Sequence, residues 1–312
     1  MRFARPLVPV LLASITLLAA CGDDRTDSLD ATTTSTTVGL PTTTAAPTTT
    51  EASAPATTSN PDKPAVSLPS TLPTELVVTD ITKGTGPEAK AGDILVMNYV
   101  GVRSEDGTEF DNSYDRGQTF NLTLGAGNVI QGWDQGLVGI QKGGRRQLDI
   151  PADLAYGDNP PSDPIKAGDA LSFVVDAVDV ISAPDPSERP DITVKGASNV
   201  DTVQTTDLVA GTGAALTGTE TAVAYVSAYR ADTGAELFSS WDRGVLEELP
   251  MDQLAASLPG LAQGLTGMQV GGRRQITVPF ALAYGADGNP DLGAGLPANT
   301  DLVVVVDLFG TY

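Results

Sequence analysis

The stretch GLVGIQKGGRRQLDIPADLAYG, residues 136–157, returns as GLTGMQVGGRRQITVPFALAYG at residues 264–285. The two copies are offset by 128 residues and align without a gap. That period is far longer than a solenoid repeat, so the echo reads as a duplicated domain. Working outward, it divides the 312-residue chain into a first domain at 73–183, a linker at 184–193 and a second domain at 194–312. The linker falls in SAPDPSERPD, whose Pro, Ser and charge content breaks regular structure. Each domain is long enough for one hydrophobic core.

Periodicity sets the fold class. Ile94, Val96 and Asn98 alternate with Leu95, Met97 and Tyr99, and Asp106-Gly107 marks a hairpin tip. TFNLTL and RRQLDI alternate as well, and ALSFVVDAVDVI places Leu171, Phe173, Val175 and Ala177 on one face. Ile130, Trp133, Leu137 and Ile140, spaced three, four and three, predict one short helix. The expectation is an α+β domain, an antiparallel sheet of about five strands wrapped on a short helix. Arg145-Arg146 reads as solvated strand surface with a capping role at most.

The N-terminal part is of another kind. Arg2 and Arg5 precede an apolar run from Leu7 to Ala20, too short for a comfortable membrane span. Leu18-Ala19-Ala20-Cys21 resembles the bacterial lipobox, so residues 1–20 are expected to be a lipoprotein signal peptide and Cys21 the lipidated mature N-terminus. The protein would then be held outside the bacterial cell membrane by its lipid. Residues 21–72 are mostly Thr, Ala and Pro; they cannot bury enough apolar surface to offset ordering entropy and are expected to form a disordered tether.

Composition excludes several chemistries. There is no histidine, so histidine metal sites and histidine acid–base catalysis are ruled out. A single cysteine rules out an intramolecular disulfide and thiolate metal clusters. No cofactor or metal is expected. Signal cleavage would take the 18 Lys and Arg down by two against 39 Asp and Glu, to about −23. Such a chain repels nucleic acid and anionic headgroups, which leaves membrane attachment to the lipid.

Only 5% of the residues are aromatic, yet the first domain holds Tyr99, Phe110, Phe120, Trp133, Tyr156 and Phe173. They come from different elements that a sheet wrapped on a helix could bring to one concave face. Two hydroxyls in such a cluster suit a small, mostly apolar pocket, although aromatics in a β domain are also ordinary core.

The segments FDNSYDRG, VIQGWDQGL and IPADLAYG, in this order, resemble the FKBP family of peptidyl-prolyl cis–trans isomerases across the whole first domain. The resemblance implies that Trp133 is the floor beneath a proline ring. Tyr99, Phe110, Phe120, Val129, Ile130 and Phe173 would be its walls, and the Ile130 N–H and Tyr156 hydroxyl donors to the substrate backbone. Asp111 would be the pocket carboxylate and Arg116 its charged neighbour. Proline-containing polypeptides and macrolides would be the ligands. In the loop after Tyr156, Pro161 and Pro164 depart from the family's usual residues, which puts sequence preference around the proline in doubt.

The second domain keeps the helix stripe as Leu258, Leu261, Leu265 and Met268 but loses the pocket. Counting from the shared DRG matches Tyr99 with Val226, Phe110 with Leu237, Asp111 with Phe238, Arg116 with Arg243 and Trp133 with Leu261. Phe173 aligns with Val304 after about three inserted residues, and Tyr284 stands at the position of Tyr156. A one-residue slip would bring Tyr225 to Tyr99 but on the opposite strand face. The sequence thus predicts an extracytoplasmic prolyl isomerase acting on exported or cell-envelope proteins, beside a degenerate copy. A non-enzymatic chaperone or peptide-binding lipoprotein is the alternative.

Overall fold

The computed structural model describes residues 62–194 and 199–312. The signal segment, Cys21 and most of the expected tether lie outside the described residues. The alternating segments of the first domain form β1 (Val77–Thr82), β2 (Ile94–Arg103), β3 (Glu109–Asn112), β4 (Phe120–Thr123), β5 (Arg145–Ile150) and β6 (Leu171–Ile181). They make one antiparallel sheet in the order β1-β5-β6-β2-β3, with β4 also paired to β2. There are six strands rather than about five because β3 and β4 pair with successive stretches of the long β2.

The second domain repeats the plan with β7 (Gln204–Val209), β8 (Thr221–Arg230), β9 (Glu236–Ser239), β10 (Glu247–Pro250), β11 (Arg273–Val278) and β12 (Leu302–Thr311). Its order is β10-β8-β12-β11-β7, with β9 on β8. The registers confirm the residue matching. Leu148, Phe173, Gly101 and Asp111 form one row across four strands, and Ile276, Val304, Ala228 and Phe238 form the same row in the second sheet. The two domains are α+β units of one plan.

The helix is shorter than its apolar stripe. α1 spans only Gln131–Gly136, with Ile130 and Leu137 as its end residues and Ile140 beyond it, buried after the turn at Gly139. Its seat on the sheet is set by glycines: a Cβ at Gly132 would lie 2.4 Å from Ile150, and one at Gly136 2.7 Å from Leu148. In the second domain the stripe keeps this place, with Leu258 as the N-terminal end residue of the matching helix, Leu261 and Leu265 inside it and Met268 beyond. An additional helix, α2 (Met251–Ser257), precedes α3 (Pro259–Leu265), and Pro259 at the start of α3 ends the first helix at Leu258.

Arg146 is not solvated. It is buried, donates to the carbonyls of Gly136 and Val138 at 2.9 and 2.8 Å, and pairs with Asp80 at 2.6 Å. It therefore closes the C-terminal end of α1, where free carbonyls favour a cation. Arg145 pairs with Asp176 at 2.5 Å.

Residues 63–72 also depart from a free tether. Lys63 bridges Glu109 and Asp115, each at 2.8 Å, and Gln147 exchanges hydrogen bonds with the backbone of Ser67. Composition misses this because the segment is held by single polar contacts rather than by apolar burial. The linker is anchored likewise. Arg189 pairs with Glu236 and Asp242, and Ile192 and Val194 pack on Tyr229, Ala231, Val303 and Val305.

Both faces of β2 are covered. Leu95, Met97 and Tyr99 belong to the core under α1, whereas Ile94 and Val96, with Ile181, join Val223, Tyr225, Trp241 and Leu246 of the second domain in one cluster. Tyr225 thus lies on the face opposite the pocket, as the register argument requires. Gly310 permits the close approach: a Cβ there would sit 2.6 Å from the Ile181 side chain.

Candidate active site

The row of residues that crosses the first sheet brings Phe173 and Gly101 side by side, and Gly101 has no side chain to fill the space above it. Phe110 and Phe173 close over that gap, edge to face, with ring centroids 5.5 Å apart. α1 delivers Trp133 to the same place. Its ring meets Tyr99 and Phe173, each at 5.2 Å, and Phe120 at 5.7 Å, all edge-on at 82–84°. These edge contacts fix the buried indole without covering the whole face.

The result is a cavity of about 210 Å³ lined by Tyr99, Phe110, Asp111, Phe120, Ile130, Trp133, Tyr156 and Phe173. A volume below the roughly 300–1,000 Å³ of drug-sized sites suits one small ring rather than a large ligand's full bulk. The expected residues converge with two differences. Val129 packs on the core beneath the site and is not part of the lining. Arg116 stands behind the lining and acts on it through Asp111 and Tyr99.

Those three residues form one hydrogen-bonded group. The Tyr99 hydroxyl donates to Asp111 Oδ2, Arg116 Nη1 donates to Asp111 Oδ1, and Arg116 Nη2 donates to the Tyr99 oxygen at 2.9 Å. The guanidinium also lies 5.6 Å from the centre of the Tyr99 ring. Burial first, and then the bond to Asp111, push the Tyr99 phenol up to about 12. Burial, followed by the charge of Asp111, also raises Tyr156. Both phenols therefore keep their protons through neutral pH. Tyr156 is 37% exposed and lines the cavity; its carbonyl accepts from the Asn159 N–H, whereas its hydroxyl makes no hydrogen bond among the described residues and can donate into the cavity.

Residues the sequence did not single out hold this arrangement. Asp134 accepts from the N–H groups of Gly125 and Gly127 at 2.8 and 3.0 Å, which pins the loop leading to Ile130. Ser113 accepts from the Tyr99 N–H at 2.9 Å and fixes the bend after Asp111. Tyr114 donates to Asp176, which also binds Arg145. Ser113 and Tyr114 lie inside FDNSYDRG, but only the fold shows their partners. Pro161 and Pro164 do not line the cavity.

In the second domain the loop after Tyr284 packs beside the corresponding place. The loop after Tyr284, three residues longer than its counterpart, buries Leu292 and Leu296. Gly293 lies so close to the Leu237 carbonyl that a Cβ would meet it, and Leu237 stands where Phe110 does. Burial pushes the Tyr284 phenol up, and Arg243 lies 4.8 Å over the Phe238 ring and pairs with Glu247 rather than with a carboxylate at position 238. Trp241 takes the place of Tyr114; its indole N–H reaches Asp307 at 3.3 Å while its ring stacks on Tyr225 at 4.1 Å.

Comparison with known proteins accords with this duplication. The family model for FKBP-type peptidyl-prolyl cis-trans isomerase matches residues 86–178 and again 211–309. The chain is 48% identical over 121 residues to an FK506-binding protein of Streptomyces anulatus, which covers 38% of this chain and 98% of that one. It is 34% identical over 234 residues to the peptidyl-prolyl cis-trans isomerase FKBP10 of Bos taurus, covering 75% of this chain and 37% of that protein. For FKBP9 of Homo sapiens the identity is 35% over 221 residues, with 70% and 35% covered. The chain spans little more than a third of these mammalian relatives. One family model that matches both domains, over more than half of the chain, makes the chain a member of the FKBP-type peptidyl-prolyl cis-trans isomerase family, a class of enzymes.

Proposed function

We propose that the first domain isomerises X–Pro bonds in exported or cell-envelope proteins, and that the second does not. The observation that carries this reading is the contrast between the open aromatic cavity around Trp133 and the aliphatic Leu237, Leu261 and Val304 that stand in place of its aromatics in the second domain. The uncatalysed barrier, ~18–20 kcal/mol, is lost amide resonance. The twisted amide is less polar than the planar one, so a dry aromatic cavity favours it over the ground state. The proline ring sits on Trp133, while the Ile130 N–H and the Tyr156 hydroxyl hold the bent backbone. No bond to the protein forms or breaks, and no residue exchanges a proton with the substrate.

That chemistry has a pH signature. The pocket phenols are raised rather than lowered, so they stay neutral below their shifted values, and the chain has no histidine. Turnover of a short prolyl peptide should be flat from roughly pH 6 to 9, and FK506 should compete with the peptide. A bell-shaped profile in that window would point to acid–base chemistry and against this mechanism. A chaperone reading requires peptide binding without turnover in the same assay.

Placement outside the membrane rests on the Leu18–Cys21 motif and the Thr/Pro-rich segment behind it. Among the described residues no helix is long and apolar enough to cross a membrane. Changing Cys21 to Ser should move the protein from the membrane to the soluble fraction with both domains folded. Retention of the variant on the membrane, with no lipid mass on the wild-type chain, would rule out the anchor.

A further inference from the structure

The segment ahead of each domain closes on that domain in the same way. In the first, Lys63 bridges Glu109 and Asp115. In the second, Arg189 bridges Glu236 and Asp242. Glu236 and Asp242 lie 127 residues after Glu109 and Asp115, the interval that also separates Arg116 from Arg243 in the shared DRG. The two cations therefore hold the same pair of positions. Beyond each cation the chain passes the hairpin-tip glycine. A Cβ on Gly107 would lie 3.3 Å from Leu68, and one on Gly234 2.3 Å from the Val194 carbonyl. The repeat thus includes a strap ahead of its first strand, with a cation on two acids at its start.

In the first domain this cation meets the turn that carries the pocket's charged pair. Asn112 directly follows Asp111, and Asp115 directly precedes Arg116. Lys63 and Asn112 share two acceptors. The Asn112 amide donates to Glu109 Oε1 at 2.7 Å and to Asp115 Oδ2 at 2.9 Å, and Lys63 Nζ donates to the same two oxygens at 2.8 Å. Asn112 Oδ1 in turn accepts from the Asp115 N–H at 2.8 Å. Two carboxylates are thus drawn to one point, and the salt bridge of each is to Lys63. Like charges brought this close repel unless a cation stands between them. The second domain meets the same need differently. Ser239 stands in place of Asn112, and the Arg189 guanidinium gives one nitrogen to each acid.

We propose that Lys63 is a positioning residue of the isomerase site. By neutralising Glu109 and Asp115 it keeps the 109–116 turn closed, and the closed turn sets Asp111 and Arg116 against Tyr99 at the cavity. The working unit of the first domain then begins at the strap rather than at β1. The proposal rests on the isomerase reading for its effect on turnover but not for its effect on the turn.

The test uses the full chain, with kcat and KM for a prolyl peptide, a thermal melt and the ¹⁵N side-chain resonance of Arg116 as readings. Lys63→Met should lower kcat/KM about three- to tenfold, chiefly through KM, and shift the Arg116 resonance. Bridges to exposed carboxylates add little to stability, so the melt should stay close to that of wild type. Lys63→Arg, the cation that the second domain uses, should recover both turnover and resonance. So should Lys63→Met combined with Glu109→Gln and Asp115→Asn, because the repulsion leaves with the cation. Arg189→Met, the same loss beside a domain without the aromatic cavity, should leave turnover at the wild-type value. Wild-type kcat/KM and an unmoved Arg116 resonance in Lys63→Met would overturn the proposal. So would a loss that neither rescue recovers, a loss that Arg189→Met matches, or a Lys63→Met chain that melts early or fails to fold. A wild-type chain without turnover would defeat the isomerase reading instead, and the Arg116 resonance would then decide the role of Lys63.

Discussion

Replacing Trp133 by leucine in the full chain should lower kcat/KM for a prolyl peptide by about ten- to a hundredfold while leaving the fold intact. Leucine is what the second domain carries at this point, as Leu261, and there it packs fully buried in α3 against an equivalent sheet. The substitution is therefore tolerated by the helix. What is lost is the flat surface framed edge-on by Tyr99, Phe120 and Phe173. Removing that aromatic contact is worth ~1–3 kcal/mol, and each 1.4 kcal/mol is about tenfold. Peptide turnover and a thermal melt check the two halves of the expectation together. Wild-type turnover in a folded Trp133→Leu chain would mean that the cavity is not the site.

Gly101→Ala should be nearly as damaging, for a reason only the structure supplies. A Cβ there would fall 2.7 Å from the Phe173 ring and 2.8 Å from that of Phe110, so both walls must move. Overpacking of this kind costs ~1–3 kcal/mol of stability, and displaced walls should lower turnover by roughly tenfold. The second domain shows the compensation. Its Ala228 occupies the position of Gly101, with the smaller Leu237 and Val304 in place of the two phenylalanines. Adding Phe110→Leu to Gly101→Ala should thus restore the melting temperature but not turnover. Recovery of both would show that the walls matter for packing alone.

The duplicated fold and most of the site were legible before any coordinates, because the repeat has no gap and strand periodicity fixes which side chains share a face. Register arithmetic from DRG placed Val226, Leu237 and Phe238 correctly for the same reason. What escaped was whatever depends on partners distant in sequence. The alternation of β2 marks two faces but not that Ile94 and Val96 are covered by another domain. The apolar stripe fixed the helix's side but not its length, since Ile140 is buried from beyond the helix end. Lys63 looks like part of a featureless segment until Glu109 and Asp115 are folded beside it. Nor does the longer loop after Tyr284 announce that Leu292 and Leu296 turn inward. Insertion length was visible; where it packs was not.

This burial changes the meaning of the second copy. A merely emptied groove would still offer a weak binding surface for unfolded chain. A groove whose own loop sets Gly293 against the Leu237 backbone is closed at that wall. Its remaining distinctive surface is the aromatic face built by Tyr225 and Trp241, and that face is spent on the first domain.

The central claim is that substrate is taken at one place, the aromatic cavity of the first domain. The chain's two tryptophans stand one in each domain, which makes them separate reporters. The direct measurement is a titration of the full, ¹⁵N-indole-labelled chain with a proline-containing peptide. The account predicts a saturable shift of the Trp133 resonance with Trp241 left in place. A Trp133 resonance that holds still at saturating peptide, or a saturable response of Trp241 alone, would contradict it.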